Sequence, residues 1–277
     1  MLTAGSLTGF MAVLKAEETE MKDSVEGYLR RRIRRDGAVH LTLLDPEEVK
    51  PGSVSAIAEK VQSCRTCAVM IGGTTLVSTS HLDEVVKSIK GAVDIPVILF
   101  PNNVTGISRH ADAIWFMSLL NSADPYFIAG AQVLGAPLVK MYRLEAIPLG
   151  YIIAGTGGSV GVIGRACPIP YNRPELAAAY ALAAQYFGMR YVYLEAGSRA
   201  EEHIPAEMVR TVKRAIDIPL IAGGGIRTRE QVKEIVSAGA DMIVTSTVLE
   251  ESGEDEIEAR LSEIMKGIKE GVNNKEV

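Results

Sequence analysis

The residue pattern of this chain predicts a (β/α)8 TIM barrel, and three observations carry the prediction. Strand-like apolar runs alternate with helix-period segments along nearly all of the 277 residues, as parallel βαβ construction requires. Eight such runs can be counted. Two short strings also recur four strands apart. Val93-Asp94-Ile95-Pro96-Val97-Ile98 enters the third strand and Ile216-Asp217-Ile218-Pro219-Leu220-Ile221 the seventh, while Ala111-Asp112-Ala113-Ile114 enters the fourth and Ala240-Asp241-Met242-Ile243 the eighth. Echoes at that spacing are what a barrel of two similar halves would show, and they favour closure over an open sheet.

Element by element, strands are expected at Ala38–Leu44, Ala68–Ile71, Pro96–Phe100, Ala113–Ser118, Ala146–Ala154, Tyr191–Glu195, Pro219–Ala222 and Met242–Thr245. Helices are expected at Val54–Cys64, Leu82–Lys90, Pro125–Leu134, Pro174–Phe187, Pro205–Ile216, Arg229–Ala238 and Glu254–Ile268. The third crossover is the exception. Only about twelve residues, with Pro101-Asn102-Asn103-Val104-Thr105-Gly106 among them, separate Phe100 from Ala113, too few for a full helix and two loops. Two readings stand there: a gap in the helix ring that leaves an apolar side groove fit for a hydrocarbon, or a tight one-turn crossover. The glycine-rich stretch Gly155–Gly161 reads as a mobile loop.

The chain is expected to form one barrel domain over 1–277 with an N-terminal helical extension at about 1–37. In that extension Val25, Tyr28, Leu29 and Ile33 fall on one helical stripe, so Arg30, Arg31, Arg32, Arg34 and Arg35 read as the polar side of an amphipathic helix. With 47% hydrophobic and 23% charged residues the chain can bury a large core. A net charge of −5 gives no pull toward nucleic acid or anionic lipid. The apolar stretch Leu7–Leu14 lacks a basic flank before it and a cleavage pattern after it, and nowhere does an apolar run reach the ~18–20 residues that span a bilayer. The expectation is a cytoplasmic protein. Three cysteines, Cys64, Cys67 and Cys167, are too few for a disulfide framework, and the Cys64-to-Cys67 CxxC has no second pair to complete a zinc site. It reads as two half-buried thiols. His40, His81, His110 and His203 lie on different elements without ligand spacing and read as core or surface residues.

Chemistry is expected where the strands end. The seventh strand runs into Gly223-Gly224-Gly225-Ile226-Arg227, where glycines let the backbone approach a phosphate and the helix beginning near Thr228 adds its positive end. Ser246 and Thr247, after the eighth strand, can close the other side of the cup. The sixth strand delivers Tyr193-Leu194-Glu195-Ala196-Gly197-Ser198-Arg199, and alternation sends Tyr193 and Glu195 to the barrel mouth. Glu195 is then either a general base for a substrate hydroxyl or a carboxylate held by a structural Arg or Lys. Asp45, before Pro46, can hold a hard cation with a hydroxyl from Ile71-Gly72-Gly73-Thr74-Thr75, since magnesium takes one or two protein oxygens plus waters and substrate phosphates; the other reading is an Asp capping a turn.

These strings, together with Leu43-Leu44-Asp45-Pro46 and Trp115-Phe116-Met117-Ser118-Leu119-Leu120-Asn121-Ser122, resemble the geranylgeranylglyceryl phosphate synthases, prenyltransferases that begin archaeal ether-lipid synthesis. The likeness runs from about Ala38 to Leu249. It implies that Asp45 and Thr74 contact Mg²⁺, which binds the prenyl diphosphate. It further implies that Tyr193, Leu194, Glu195, Ala196, Gly197, Ser198, Arg199, Gly224, Gly225, Ser246 and Thr247 bind sn-glycerol-1-phosphate, with Glu195 catalytic. Asn121-Ser122 resembles the larger-oligomer branch, which implies a homo-oligomer, dimeric or hexameric. Arg199 and Ser246 depart from the family pattern, each standing where glycine is usual. A catalytically silent phosphate- or lipid-binding scaffold, or another phosphate-gripping barrel enzyme, is the competing reading.

Overall fold

A computed structural model describes residues 24–49, 51–73, 78–246 and 256–275. Its strands are β1 (Val39–Leu44), β2 (Ala68–Ile71), β3 (Val97–Leu99), β4 (Ala113–Leu119), β5 (Glu145–Ile153), β6 (Tyr191–Glu195), β7 (Leu220–Gly223) and β8 (Met242–Thr245). They pair in parallel in sequence order, and β1 closes on β8 with His40 opposite Ile243. The barrel expected from the sequence is present.

Period-two burial explains why these segments are strands. On β1 Leu41, on β2 Met70, on β4 Trp115 and on β5 Ile147 and Leu149 fill the barrel interior, while Val69, Leu99, Ile114, Ile152, Val192 and Ile243 pack outward under the helices. The helices are α1 (Val25–Asp36), which precedes the barrel, and around it α2 (Pro51–Ser63), α3 (Thr79–Lys90), α4 (Ala131–Tyr142), α5 (Gly158–Ile163), α6 (Pro174–Tyr186), α7 (Ala206–Ala215), α8 (Arg229–Ser237) and α9 (Ile257–Asn273).

Of the expected N-terminal extension, residues 1–23 lie outside the described residues. The rest is α1, which plugs the bottom of the barrel. Leu29 is fully buried against the interior side chains, with Val25, Tyr28 and Ile33 beside it. Ser24 caps the helix through the Gly27 N–H, and the Glu145 carboxylate accepts the Val25 and Glu26 N–H groups at 2.6 and 2.9 Å, an anion at the positive end of the helix. The arginine face is not wholly solvated. Arg31, Arg34 and Arg35 are exposed, but Arg30 lies over the Tyr191 ring and pairs with buried Glu26.

The third crossover carries no α-helix. One 3-10 turn, Val104–Gly106, links β3 to β4, so the short-crossover and open-groove readings both hold. Two helical expectations change. Pro125–Leu134 becomes a π-helical turn, Tyr126–Gly130, followed by α4, which runs to Tyr142 through Pro137. The glycine-rich stretch after β5 is not wholly a loop: Gly157, at φ +72°, starts the six-residue α5.

Candidate active site

The C-terminal strand ends surround a cavity of about 730 Å³ whose walls include Asp45, Gly73, Phe100, Tyr151, Tyr193, Glu195, Ser198, Gly224 and Ser246. Register places its floor. Tyr151 on β5 lies opposite Tyr193 on β6, and the two rings pack edge to face at 5.2 Å with Phe100 against both. Their hydroxyls donate to the carboxylate of Glu195.

Glu195 is 5% exposed. Burial pushes its carboxyl above the usual glutamate range, and the Gly197 N–H, donating to Oε1 at 2.7 Å, and the Tyr193 and Tyr151 hydroxyls pull it back down. Both tyrosines are themselves raised well above their ordinary value by burial and by the neighbouring carboxylate, so they stay protonated donors. Among the described residues the partners of Glu195 are therefore hydroxyls and an N–H, with no Arg or Lys of the kind the alternative reading requires. Sequence reasoning missed Tyr151. The signal was present in the alternation Leu149, Tyr151, Ile153, but its meeting with Glu195 depends on register between strands.

The glycine run after β7 makes room for this carboxylate and its partner. A β-carbon at Gly223 would lie 2.1 Å from the Tyr193 hydroxyl, and one at Gly224, whose φ is +81°, 2.3 Å from Glu195 Oε1. Arg227 donates to the Ala200 carbonyl at 2.8 Å, fastening the loop after β6 to the loop after β7. The Thr228 capping box then starts α8, so the positive end of that helix faces the cup. Gly197, at φ +111°, packs on Gly157 and Gly158 at the start of α5, where a side chain would collide with backbone.

Other expected residues divide. Tyr193, Glu195, Ser198, Gly224 and Ser246 meet at the cavity, whereas the side chains of Leu194 and Ala196 turn outward into the layer between strands and helices. Gly225, at φ +68°, backs onto the Glu202 carbonyl. Thr74 and Thr247 lie outside the described residues. Arg199 adopts φ +59°, a left-handed conformation that glycine takes without penalty, and its Nη2 sits 3.5 Å from Glu48 Oε1 on the loop after β1.

Asp45 both caps a turn and lines the cavity. Its Oδ1 accepts the Glu47 N–H at 3.0 Å, as a turn cap does, and the same carboxylate lines the cavity with Oδ2 at 2.2 Å from where a β-carbon on Gly73 would sit. Burial pushes its carboxyl up. Such a carboxylate, presented across a glycine, fits a hard cation that takes its remaining oxygens from substrate phosphates. Among the described residues no cluster of three or more His, Cys, Asp or Glu offers an all-protein site. His40 and Cys67 are packing residues: His40 is buried between the Thr66 and Thr245 hydroxyls, with burial holding its imidazole down to about 3, and Cys67 is fully buried, not half-buried as expected, which pushes its thiol up to about 11, while Cys64 is half-buried and Cys167 exposed.

Beside the mouth lies a second cavity of about 760 Å³, opened by the missing third helix. Trp115, Phe116, Met117, Phe127, Val139 and Ile163 make it apolar, and Gly135 and Ala131 on α4 leave it wide. It shares Pro101, Asn102, Met117, Tyr151 and Val160 with the mouth. A polar cup and an apolar groove therefore meet at Tyr151. Asn121 braces this junction, donating to the Ile153 and Cys167 carbonyls and accepting the Ile153 N–H.

Fold and site together define a barrel enzyme with its chemistry at the carboxyl ends of the strands. The chain belongs to the PcrB family, which its residues 30–266 match. It is 49% identical over 251 residues to the geranylgeranylglyceryl phosphate synthase of Thermofilum pendens, covering 91% of this chain and 97% of that protein. It is 52% identical over 246 residues to that of Pyrococcus abyssi, covering 88% and 98%. Among solved structures, (S)-3-O-geranylgeranylglyceryl phosphate synthase from Thermoplasma acidophilum, in complex with its substrate sn-glycerol-1-phosphate, superposes with a TM-score of 0.85 at 43% identity over 89% of this chain and 98% of that one. The resemblance read from the motifs is borne out.

Proposed function

We propose that this protein is a prenyltransferase that joins geranylgeranyl diphosphate to sn-glycerol-1-phosphate, forming the first ether bond of archaeal membrane lipids and releasing diphosphate. The observation that carries the reading is a buried carboxylate held by two tyrosine hydroxyls where a polar cup opens into an apolar groove. The acceptor's phosphate sits against Gly224, Gly225 and Ser246, with Ser198 beside them and the α8 dipole behind, and Thr247 is assigned to the same phosphate by the family resemblance. Its free terminal hydroxyl then points at Glu195, which orients it and takes its proton as the oxygen attacks the first carbon of the prenyl chain. Tyr151 and Tyr193 fix the carboxylate and stabilise its charged form. The groove walls keep water from the reacting carbon and hold the hydrocarbon. Asp45, with Thr74, would hold Mg²⁺, which when bound offsets the negative charge of the diphosphate.

The deciding assay combines purified protein, Mg²⁺, sn-glycerol-1-phosphate and a ladder of prenyl diphosphates, with products identified by mass. A prenyl ether that disappears with EDTA and returns with Mg²⁺ is expected. Asp45→Ala should abolish turnover while leaving glycerol-1-phosphate binding largely intact; unchanged activity at limiting Mg²⁺ removes Asp45 from the metal site. No ether with any donor, despite bound glycerol-1-phosphate, makes the protein a silent scaffold.

The enzyme works in the cytoplasm in this reading, and no described helix is long and apolar enough to cross a membrane. It also self-associates. Val133, Leu134 and Met141 on α4 and Val162 on α5 are exposed apolar side chains, which supports burial against further copies. Light scattering at micromolar concentration would give a monomer if this is wrong.

A further inference from the structure

The mouth cavity presents an electrostatic problem. Its described lining includes two carboxylates, Asp45 and Glu195, and no Lys or Arg, yet both substrates of the reaction proposed above are polyanions. Mg²⁺ held at Asp45 would offset part of the charge that the leaving group carries away, and the described lining offers no second cation to share it.

Arg199 is placed to supply one. Its backbone belongs to the loop after β6, but its guanidinium crosses the rim to the loop after β1, where Nη2 lies 3.5 Å from Glu48 Oε1. The Glu48 N–H donates to the Asp45 carbonyl at 3.1 Å in the turn that follows β1, so the guanidinium stands over the turn that begins with Asp45. The opposite side, at Gly224 and Ser246, faces the acceptor's phosphate in the reading above. The chain holds this arginine at φ +59°, where a side chain is disfavoured, so the residue is carried at a conformational cost. Its pair with Glu48 is open to water, with the two side chains 59% and 55% exposed, and such a pair is weak enough to be given up.

We propose that Arg199 is a binding residue for the prenyl donor, its guanidinium exchanging the Glu48 carboxylate for the donor's diphosphate. The inference rests on the prenyltransferase reading. In the reaction the bond from the first prenyl carbon to the diphosphate oxygen breaks, and its electron pair leaves with the diphosphate. A new bond forms from that carbon to the glycerol oxygen, and the hydroxyl proton passes to Glu195. Arg199 meets the departing charge with the two-pronged N–H geometry that suits phosphate oxygens. The family resemblance assigns this position to the acceptor's phosphate; the proposal gives its side chain to the donor and leaves the loop backbone around it to the acceptor.

The test uses the full-length protein and titration calorimetry with two probes, inorganic diphosphate and sn-glycerol-1-phosphate, each with and without Mg²⁺, alongside steady-state kinetics. Arg199→Asn removes the charge while tolerating the left-handed backbone. It should weaken diphosphate binding about tenfold and raise the donor KM by a similar factor, the usual scale for one charge-assisted contact, with glycerol-1-phosphate affinity and KM moving less than about twofold. Arg199→Lys should fall between, and Glu48→Gln, which removes the competing carboxylate, should tighten diphosphate binding. Loss confined to glycerol-1-phosphate would return Arg199 to the acceptor site, and no change with either probe would make it a solvated surface pair; both overturn the proposal. A parent protein that makes no prenyl ether sinks the enzymatic reading instead, while the calorimetric contrast still judges Arg199.

Discussion

At the β3–β4 corner, Asp112 accepts the Val97 N–H at 2.8 Å and holds Lys90 at 2.7 Å; at the β7–β8 corner, Asp241 accepts the Leu220 N–H at 2.8 Å and holds Lys213 at 2.6 Å. Gln62 accepts the N–H groups of Asp94 and Ile95 before the first corner, and Gln185 that of Asp217 before the second. The two sequence echoes are thus one clamp built twice, at the end of the barrel away from the cavity. At the other end of the same strands the likeness stops. After β3 comes a single turn and an open apolar groove, and after β7 a glycine cup and a capped helix. The repeat persists where residues hold strands together and is lost where the site is built, so stability and chemistry should respond to different substitutions.

The largest expected separation is at Glu195. Glu195→Gln keeps size and most hydrogen bonds but cannot take a proton, so turnover should fall by about 10²–10⁴-fold with substrate binding changed far less and the urea midpoint nearly fixed. Because burial raises the carboxyl and the base must be ionised, kcat/KM in the parent should fall as pH drops through a value above the ordinary glutamate range, and that acid limb should vanish in the variant. Full turnover in Glu195→Gln would reduce the residue to an anchor for the glycerol.

The groove comes next. A β-carbon on Gly135 would sit 3.1 Å from Ile107 Cδ1, so Gly135→Leu should push a side chain into the space the missing helix leaves. At about 0.8 kcal/mol per methylene, a leucine that displaces four of them should cost up to ~3 kcal/mol of binding for a twenty-carbon donor, with little effect on a five- or ten-carbon one. Competition between donors measures the shift. Equal losses at every chain length would place the hydrocarbon elsewhere.

Much of this was legible in the sequence, for identifiable reasons. Every strand end falls within one residue of its expected position, because β-branched and apolar runs bounded by Gly, Pro and Asp are unambiguous when buried on both faces. The short third crossover was legible from spacing alone. What failed was local propensity. Gly157-Gly158 reads as a breaker, yet Gly157 at φ +72° is the turn that starts α5, and the packing of Gly161 near Ile153 and Gly164 near Leu119 keeps the segment helical. Pro137 should have ended α4, and tertiary contacts carried the helix past it. Within the site, Glu195 and Asp45 announced themselves as carboxylates at strand ends. Tyr151 and Glu48 did not, since their roles arise from neighbouring strands and loops that only the closed barrel brings together.

The smallest effects should fall on the two clamps, and they should differ. Asp241 is 10% exposed at its side chain, faces Lys213, and has Lys275 at 3.6 Å, which in turn donates to the Gly37 carbonyl and so ties the end of the described chain to the barrel floor. Asp112 is 29% exposed and, among the described residues, holds one lysine, Lys90. Substituting Asn at either position keeps the shape but turns one acceptor into a donor facing a lysine or a backbone N–H. At Asp241 two partly buried ammonium groups then lose their counter-charge, so Asp241→Asn should cost about 2 kcal/mol in urea unfolding, against about 1 kcal/mol for Asp112→Asn, whose lysine can turn to water. Neither variant should move kcat or either KM, because both carboxylates sit at the strand entrances, a full strand length from Glu195. A greater loss at Asp112 would mean that the half of the barrel lacking a helix leans harder on its clamp. A change in donor KM with Asp112→Asn would show that the β3–β4 corner sets the width of the groove, coupling the clamped end of the barrel to the end that carries the site.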